Sequence, residues 1–397
     1  MKRSRTKRVA VLTETSRAFG RELIAGIARY SREQGDWELF FEPRGLEGPP
    51  PWLEDWEGDG IIARFPDRKV AETVLSFGKP VVDLYGTLGD GFPMVGPDNA
   101  GVAALAFEHL WERGIRHFGY WGLRHGDWPF IDERGELFRQ RAAEAGCDCT
   151  LSAATGDRWV VSDWGVEEQQ LTEWIETLPK PVGILACYDE RGLQVLNACR
   201  HAGWKVPDEV AVIGSGNDPV VCEMCSPPLS SIDLDGARIG YKAAACLDKL
   251  MRKKKATPVR PAQERPTMER LRIEPRGIIV RRSTDVLVTE DADLAAALRF
   301  IRREACRGIR VRDILREVPV SQSVLERKFH AFLGRTPKSE ILRVQMDRAR
   351  EFLAMTDLPF REVAARCGFA NEKYFSDVFF RETGSRPITY RREQRGS

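Results

Sequence analysis

The sequence is poor in the residues and patterns from which most catalytic and metal sites are built. Its 397 residues include only five histidines, and it contains no Gly-rich phosphate loop, no G-x-S-x-G turn and no metal-ligand cluster. Its nine cysteines are odd in number and lie mostly in apolar stretches, which is typical of reduced core residues. We therefore expect no enzyme activity, no cofactor and no bound metal.

One pair of cysteines needs a separate interpretation. Cys222 and Cys225 have the C-x-x-C spacing that zinc and redox sites use. A closed zinc site needs four ligands, and neither a second pair nor a nearby histidine completes the set. A structural loop is therefore the expected interpretation of this pair.

Long apolar runs are also missing from the sequence. No stretch is long and apolar enough to cross a membrane. The basic start, residues 1–8, leads directly into the strand-like sequence VAVLT, without the apolar core or the cleavage site of an export signal. We expect a cytoplasmic protein with no membrane partner.

Charge is distributed unevenly along the chain. Residues 291–397 contain 22 Lys or Arg and 15 Asp or Glu, a net charge of +7, whereas residues 1–290 contain 39 and 44, a net charge of −5. The C-terminal region therefore has the sign that attracts a polyanion, and the larger part has the sign that repels one. Any nucleic acid is expected to bind at the C-terminal end.

Residues 9–284 have the pattern of an α/β domain. Short β-branched runs such as VAVLT, GIIAR and VAVIGS alternate with helix-like segments such as residues 21–32 and 99–113. Continuous apolar strands that alternate with helices are typical of parallel, doubly wound sheets covered on both faces. Because the strands are too many for one small sheet, the sequence predicts two lobes.

After residue 284 the pattern becomes wholly helical. Residues 285–293 are predicted to be a linker, and residues 294–397 a helical domain that contains one unit twice. Each unit has an amphipathic helix, a turn and a second helix, which begins at a capping residue, Ser321 or Asn371, and stops at Gly-x-x-Pro. Two helix-turn-helix motifs joined by a long helix are predicted. The second helices are expected to bury Leu325, Phe329 and Phe332 in the first unit and Phe375, Val378 and Phe379 in the second.

The second helix of each unit exposes polar side chains that can read DNA bases. Arg and Lys donate to guanine, whereas Glu and Asp accept from the amino group of cytosine. The two units would place these helices about one duplex turn, ~34 Å, apart. A solvated helix face is the structural alternative. The candidate base-reading residues are Gln322, Ser323, Glu326, Arg327, Glu372, Lys373 and Asp377, and Arg386 is assigned to the phosphate backbone.

The helical region also carries two longer motifs. These are Ser321-x-Ser-x-Leu325-Glu-Arg327-x-Phe329 followed by GRTP, and Val363-Ala-x-x-Cys-Gly368-Phe369 followed by Tyr374-Phe375. They resemble the AraC/XylS family of transcription regulators, which implies that double-stranded DNA is the partner. The resemblance places Ser323, Glu326, Arg327, Glu372, Lys373 and Asp377 at base-contacting positions. Two residues depart from the family pattern: Pro319 stands where the first turn usually has Gly, and Asp377 stands where some members have Arg.

Further motifs run through the larger part of the chain. They include Pro97-Asp98-Asn99, Cys187-Tyr-Asp189-Glu-Arg191-Gly, Val212-Ile-Gly214 and the closing Arg281-Arg-Ser-Thr284. These motifs resemble the effector domain of the LacI/GalR and periplasmic-binding-protein families, which implies two α/β lobes that close on a small ligand. An effector domain followed by an AraC-type domain resembles the xylose operon regulators, which implies a sugar-responsive regulator of catabolic genes.

The candidate carboxylates and amide of a ligand site lie at predicted strand ends, where α/β folds place their ligands. A buried polyol needs carboxylates and amides for its hydroxyl groups and an aromatic face for its C–H groups. Arg134 stands at a position from which this fold family often contacts its effectors. The structural alternatives are that strand-end Asp residues cap helices and that Trp residues are core. The candidates are Phe19, Asp83, Trp128, Arg134, Asp189, Asn217 and Asp218, with Trp121 as a further aromatic platform.

One position bears on the identity of the ligand. Sugar-binding relatives usually have Asp two residues after the glycine of Val-Ile-Gly, and Gly216 stands there instead. Either Asn217 or Asp218 replaces that carboxylate, or the ligand is not xylose. The expected partners are a small sugar such as xylose, repeated DNA operator sites, a second copy of the chain in a homodimer, and RNA polymerase. The alternatives are a sugar-binding or transport protein without DNA activity, and a regulator that senses a non-pentose ligand.

Overall fold

The computed structural model of the protein describes residues 5–35, 37–43, 51–53, 55–65, 68–88, 92–126, 128–153, 164–252, 270–286, 288–289 and 291–395. The chain divides into two compact units, Met1–Val286 and Leu287–Ser397, and the division falls within the predicted linker. Residues 1–4 of the predicted basic tail and residues 287 and 290 of the linker lie outside the described residues.

The first lobe of the larger unit is built on a six-stranded sheet. Its strands are β1 (Lys7–Leu12), β2 (Trp37–Phe41), β3 (Gly60–Ala63), β4 (Val81–Asp83), β5 (Met94–Pro97) and β11 (Arg270–Ile273). They lie in the order β11-β5-β4-β3-β1-β2, and the described pairs are all parallel. The central strands are runs of buried Val, Ile and Ala, because helices cover both faces of the sheet.

The second lobe has a sheet of the same size. Its strands are β6 (His117–Gly122), β7 (Cys149–Ala153), β8 (Val182–Ala186), β9 (Val210–Ser215), β10 (Ser230–Asp233) and β12 (Gly277–Ile279). They lie in the order β12-β10-β9-β8-β6-β7. The edge strand β12 is antiparallel to β10, which departs from a purely parallel sheet. The chain re-enters this lobe directly from β11 and runs in the opposite direction along β10.

Helices cover these sheets. They are α1 (Ala18–Tyr30), α2 (Arg68–Ser76), α3 (Asn99–Trp111), α4 (Pro129–Glu144), α5 (Trp164–Thr177), α6 (Asp189–Ala202), α7 (Pro219–Met224) and α8 (Gly236–Arg252). Helices α1 and α8 approach each other at two glycines. A Cβ on Gly26 would lie 2.0 Å from the carbonyl oxygen of Ala237, and one on Gly240 would lie 2.0 Å from that of Leu23. Only glycine allows these backbones to pack so closely.

The chain crosses between the lobes at residues 97–99, 233–236 and 273–277. The crossings are hydrogen-bonded to each other: Asp98 N donates to the Ile273 carbonyl oxygen at 2.8 Å, and Arg276 N donates to that of Asp233 at 2.9 Å. Short paired connections of this kind are typical of a hinge. They bring the carboxyl ends of the strands of both lobes to one cleft.

The smaller unit is helical. Its helices are α9 (Ala292–Glu304), α10 (Val311–Glu317), α11 (Gln322–Leu333), α12 (Pro337–Met355), α13 (Phe360–Arg366), α14 (Glu372–Thr383) and α15 (Pro387–Arg395). The long helix α12 contributes to two apolar cores, with Ile341 in the first and Met346, Ala349 and Leu353 in the second. The two predicted helix-turn-helix motifs are therefore confirmed as two packed units joined by one helix. None of the described helices is long and apolar enough to span a membrane.

The second helices of both motifs are capped as predicted. All but one of the residues that they were predicted to bury are buried. Ser321 Oγ accepts from Val324 N at 3.4 Å, and Asn371 Oδ1 accepts from Tyr374 N at 2.8 Å. Leu325 and Phe329 are buried, but the prediction that Phe332 is buried was wrong, because its side chain is 57% exposed. Phe332 lies in the last turn of α11, where the neighbouring helices no longer cover it.

Candidate ligand cleft and DNA-reading helices

The cleft between the two lobes is enclosed by side chains from the carboxyl ends of strands in both sheets. It contains about 400 Å³ of space without protein atoms, part of it open to solvent. The first lobe supplies Glu14, Arg17, Ala18, Phe19, Arg64 and Tyr85, the hinge supplies Leu234, and the second lobe supplies Arg134, Tyr188, Asp189, Glu190, Ser215, Gly216 and Asp218.

A buried ion pair forms the floor of the cleft in the first lobe. Glu14 follows β1 and Arg64 follows β3, and their side chains are hydrogen-bonded to each other and at most 1% exposed. The Arg64 guanidinium lies over the Tyr85 ring, 4.2 Å from its centroid, and donates to Tyr188 Oη of the second lobe at 3.2 Å. Breaking a buried pair of this kind typically costs about 3–5 kcal/mol.

Asp189, at the start of α6, is a buried carboxylate that accepts two hydrogen bonds within the second lobe. Ser231 Oγ donates to Asp189 Oδ1 at 2.5 Å, and Asp218 N donates to Oδ2 at 2.7 Å. Burial raises the pKa of Asp189 to about 7, although both hydrogen bonds oppose the shift. The carboxyl group is therefore poised between its neutral and its charged form near physiological pH.

Direct contacts join the two walls of the cleft. Asp218 Oδ1 accepts from Val220 N at 3.0 Å and caps α7, while Asp218 Oδ2 accepts from Ala18 N at 2.9 Å, at the start of α1 in the opposite lobe. Arg17 Nε donates to Glu190 Oε1 at 2.6 Å. One carboxylate thus caps a helix in each lobe, so its contacts depend on how far the lobes are closed.

Arg134 is fully buried in the wall of the cleft. Its Nε donates to Asn99 Oδ1 at 3.0 Å, and its Nη1 donates to the Cys187 carbonyl oxygen at 3.0 Å and to Ser215 Oγ at 2.9 Å. All three partners are neutral, unlike those of the buried Arg64 and Arg191, which pair with glutamates. Nη2 takes part in none of these three bonds, and Arg134 is one of the residues that line the cleft.

The structure brings four of the seven sequence-predicted ligand residues together. Phe19, Arg134, Asp189 and Asp218 line the cleft. Asp83 instead accepts from Tyr85 N at 2.9 Å and Leu88 N at 2.8 Å in its own loop, and burial raises its pKa.

The other predicted residues are not among those that line the cleft. Asn217 has a positive φ of 50° and accepts from Arg281 Nη2 at 3.1 Å. Trp128 is buried, with its ring edge-on to Phe130 and 5.9 Å from the Arg64 guanidinium. Trp121 stacks on Trp174 within the core of the second lobe.

Sequence reasoning missed most of the polar side chains that line the cleft. The missed residues with polar side chains are Glu14, Arg17, Arg64, Tyr85, Tyr188, Glu190 and Ser215. Their positions at or just after strand ends could have identified them, since Arg64 follows β3 directly and Ser215 ends β9. The pairing of Glu14 with Arg64 could not be read from the sequence, because it depends on the neighbouring placement of β1 and β3.

A chain of hydrogen bonds leads from the cleft to the end of the larger unit. Asn217 N donates to Ser231 Oγ, the partner of Asp189, while Asn217 Oδ1 accepts from Arg281. Ser230 Oγ then bonds the Arg281 carbonyl oxygen at 3.0 Å and Thr284 Oγ1 at 2.8 Å. Thr284 Oγ1 lies 2.9 Å from Nε2 of the buried His109. Burial lowers the pKa of His109 to about 3, so the ring is neutral.

All eight predicted DNA-contacting residues are exposed in the smaller unit. In α11, Gln322 Nε2 donates to Glu326 Oε1 at 2.8 Å. In α14, Asp377 accepts from Arg386 Nη1 at 3.0 Å, and the Arg386 guanidinium lies 4.8 Å from the Phe380 ring centroid. Arg327 and Lys373 make no hydrogen bond or ion pair with any described residue. Each second helix therefore presents one cation that is free to bind a base or a phosphate.

Comparison with known proteins gives the same domain order. An XylR N-terminal domain matches residues 8–94, a periplasmic binding protein-like domain residues 107–284 and a helix-turn-helix domain residues 314–393. The xylose operon regulatory protein of Escherichia coli (strain K12) is 30% identical over 97% of this chain and 96% of its own. The chain belongs to the family of xylose operon regulatory proteins. It is therefore a sugar-responsive transcription regulator and not an enzyme, as the sequence predicted.

Two further relatives support the fold of the full chain. The xylose operon regulatory protein of Haemophilus influenzae is 28% identical over 97% of this chain and 98% of its own. A solved structure of a xylose-binding transcription activator is 29% identical, with a TM-score of 0.73 over 98% of both chains. A transport protein without DNA activity is not supported, because these relatives include the helix-turn-helix region.

Proposed function

We propose that the cleft binds xylose or a closely similar pentose, and that the buried Arg134 is its central donor. The observation that carries this proposal is a fully buried guanidinium that lines the cleft and whose three described partners are all neutral. Sugar hydroxyl oxygens are suitable acceptors for these donors. The names of the relatives, which regulate xylose operons or bind xylose, support the same ligand class.

Asp189 and Asp218 are assigned the role of the carboxylate that Gly216 lacks. A Cβ on Gly216 would lie 3.3 Å from Asp189 Oδ2, so that carboxylate already occupies the space beside this glycine. Both acids can accept from sugar hydroxyls, and Phe19 can cover the C–H face. Asp83, Asn217 and Trp128 are assigned to the support of this wall rather than to the ligand itself.

A thermal-shift screen of the full chain tests the ligand. A sugar at about 100 times its Kd stabilises the folded state by about 2.7 kcal/mol. D-xylose is expected to raise the melting temperature more than D-ribose, L-arabinose or D-glucose. Arg134→Met should abolish the shift, whereas Arg139→Met, on the exposed face of α4, should preserve it. A larger shift with a hexose would contradict the pentose assignment.

Sugar binding is proposed to act through lobe closure and the hydrogen bonds around Arg281. A ligand shifts the lobe equilibrium only by the difference between its affinities for the two states. Arg281 joins the loop behind Asp189 to the last residues before the linker, so it can pass a change in that loop to the exit of the unit. Arg281→Gln is expected to preserve xylose binding and to weaken its effect on DNA affinity.

The regulator is proposed to work as a cytoplasmic homodimer on repeated operator sites. Two copies would place four reading helices on DNA, and spaced repeats match such an arrangement. RNA polymerase is the proposed partner if binding activates transcription. Sedimentation of the chain with and without a two-site duplex checks this: a 1:1 complex of monomer and DNA would contradict it.

A further inference from the structure

Lys328 differs from its neighbours on the first reading helix, α11. Arg327, the preceding residue, is exposed and makes no described contact. Lys328 is half-buried, and its Nζ donates to Asp291 Oδ1 at 2.7 Å and to Asp293 Oδ2 at 2.7 Å. Its charge is therefore directed toward the start of α9.

Asp291 accepts hydrogen bonds from both α9 and α11. It is the N-cap of α9, where Oδ1 accepts from Asp293 N at 3.1 Å and from Leu294 N at 3.0 Å, and it also accepts from Lys328. The hydrogen bond from Lys328 is the main reason that the pKa of Asp291 is lowered, and the same bond raises the pKa of Lys328. Asp291 lies in the last part of the predicted linker, directly before α9, so Lys328 is bonded to the point where the first helix of the smaller unit begins.

The ion pair lies beside an apolar contact between the same two helices. Leu294, Leu298 and Ile301 of α9 share one core with Leu325 and Phe329 of α11. Apolar contacts are not directional and would tolerate a small sliding of one helix along the other. A lysine bonded to two carboxylates fixes the position along the helix axis as well.

The second helix-turn-helix motif has an apolar residue at the position that matches Lys328. Residue 378 corresponds to residue 328 when Asn371 is aligned with Ser321, and Val378 is 2% exposed in the second core. A buried Val packs α14 against its own unit only. The charged bond is thus a feature of the unit that follows the linker.

We propose that Lys328 is a positioning residue that ties the first reading helix to the linker end of α9 and sets the angle at which α11 meets DNA. This inference rests on the proposed reading of DNA by α11. This positioning role differs from a phosphate contact, in which Lys328 would leave Asp291 and Asp293 and donate to the DNA backbone.

A double-mutant cycle on the full chain separates these roles. The probe is a duplex that the wild-type chain selects from a random library, and Kd is measured by fluorescence anisotropy over a range of salt concentrations. We expect Lys328→Gln and Asp293→Asn each to weaken binding by about five-fold, the scale of a partly exposed ion pair. The double variant should bind like the weaker single variant, and the salt slope should stay that of the wild type, because no phosphate contact is lost.

Controls and contrary outcomes are equally specific. Arg299→Gln removes an exposed cation of α9 that makes no hydrogen bond or ion pair with any described residue, and it should leave the affinity unchanged. A phosphate contact would make Lys328→Gln weaken binding with a salt slope lower by about one, while Asp293→Asn would strengthen binding. That pattern, additive effects of the two substitutions, or no effect of either would overturn the proposal. If the wild-type chain selects no duplex, the reading of DNA itself is wrong.

Discussion

The helices α11 and α14 have the same frame but offer different surfaces. Each is capped by a polar side chain, each ends at a glycine with positive φ, Gly334 at 64° and Gly384 at 72°, and each is followed by a helix that begins with proline. Their exposed faces differ at aligned positions. Arg327 in the first corresponds to Asp377 in the second, and the bonded Lys328 corresponds to the buried Val378.

The difference indicates a division of labour between the two units. In the first, a free arginine faces outward and a lysine bonds the start of α9, so its reading surface is coupled to the linker. In the second, aromatic residues fill the core, and the Phe375 ring is tilted against those of Phe369 and Phe379, with centroids 5.4 Å and 5.7 Å away. The first reading helix is thus held to the start of α9 by a charged bond, whereas the second is held by aromatic packing within its own core.

The largest expected effect comes from the turn of the second unit. Gly368 has a φ of 80°, and a Cβ there would lie 2.7 Å from Gly308 N. Gly368→Ala combines backbone strain with a backbone clash, so we expect it to lower the free energy of unfolding by about 3 kcal/mol. Gly334→Ala is the matched control, because its φ is also positive but nothing lies within 4 Å of the added Cβ; it should lose about 1 kcal/mol.

Urea unfolding of the full chain can measure this in the smaller unit alone. All ten tryptophans lie before residue 287, so indole fluorescence reports the unfolding of the larger unit, whereas far-UV circular dichroism reports the unfolding of both units. Gly368→Ala should therefore lower the urea midpoint of the transition that only circular dichroism detects. The transition that fluorescence detects should keep its midpoint. Equal losses for Gly368→Ala and Gly334→Ala would show that the contact with Gly308 is not restrictive.

Arg327→Ala is expected to have the next largest effect. A bidentate contact of arginine with a base is worth about 1–3 kcal/mol, so affinity for the selected duplex should fall by about ten-fold or more. The side chain has no partner in the described protein, so neither folding nor xylose affinity should change. Arg299→Ala serves as the control, and a matching loss of xylose affinity would point to misfolding instead.

The sequence predicted the two-lobed fold and the two reading units because these depend on periodic patterns and caps. It predicted Asp189 in the cleft because strand ends converge there, and Arg134 because of the resemblance to the effector-domain families. It did not distinguish Asp83, which bonds its own loop, from Asp218, which reaches the opposite lobe, because both follow strands. It also placed Phe332 in the core from spacing alone, although α11 is uncovered at its end. Such distinctions depend on packing between elements that are distant in sequence.

The turns of the two units should also differ in how they respond to glycine. Pro319 takes the place of the usual glycine in the first unit, and Val320 N donates to the Val318 carbonyl oxygen at 2.8 Å across it. This three-residue turn needs no positive φ, and proline restricts the unfolded chain. Pro319→Gly should therefore lower stability by about 0.5–1 kcal/mol. A gain in stability in the urea experiment would show that proline strains the turn.

The smallest expected effect on DNA affinity is that of Asp377→Ala, at the position where α11 has Arg327. The Asp377 carboxylate bonds Arg386 at 3.0 Å, and both side chains are more than half exposed, so the pair contributes little to stability. Asp377→Ala would release Arg386 from this bond while the Phe380 ring still supports the guanidinium. DNA affinity should then stay within about two-fold of the wild type, with a salt slope equal or slightly steeper, since the freed arginine can donate to a phosphate.

If Asp377 instead accepts from a cytosine amino group, the same variant will lose affinity for the selected duplex and gain tolerance at one base pair. Arg386→Ala separates the cases further, because loss of a phosphate contact weakens binding to all sequences alike and lowers the slope by about one.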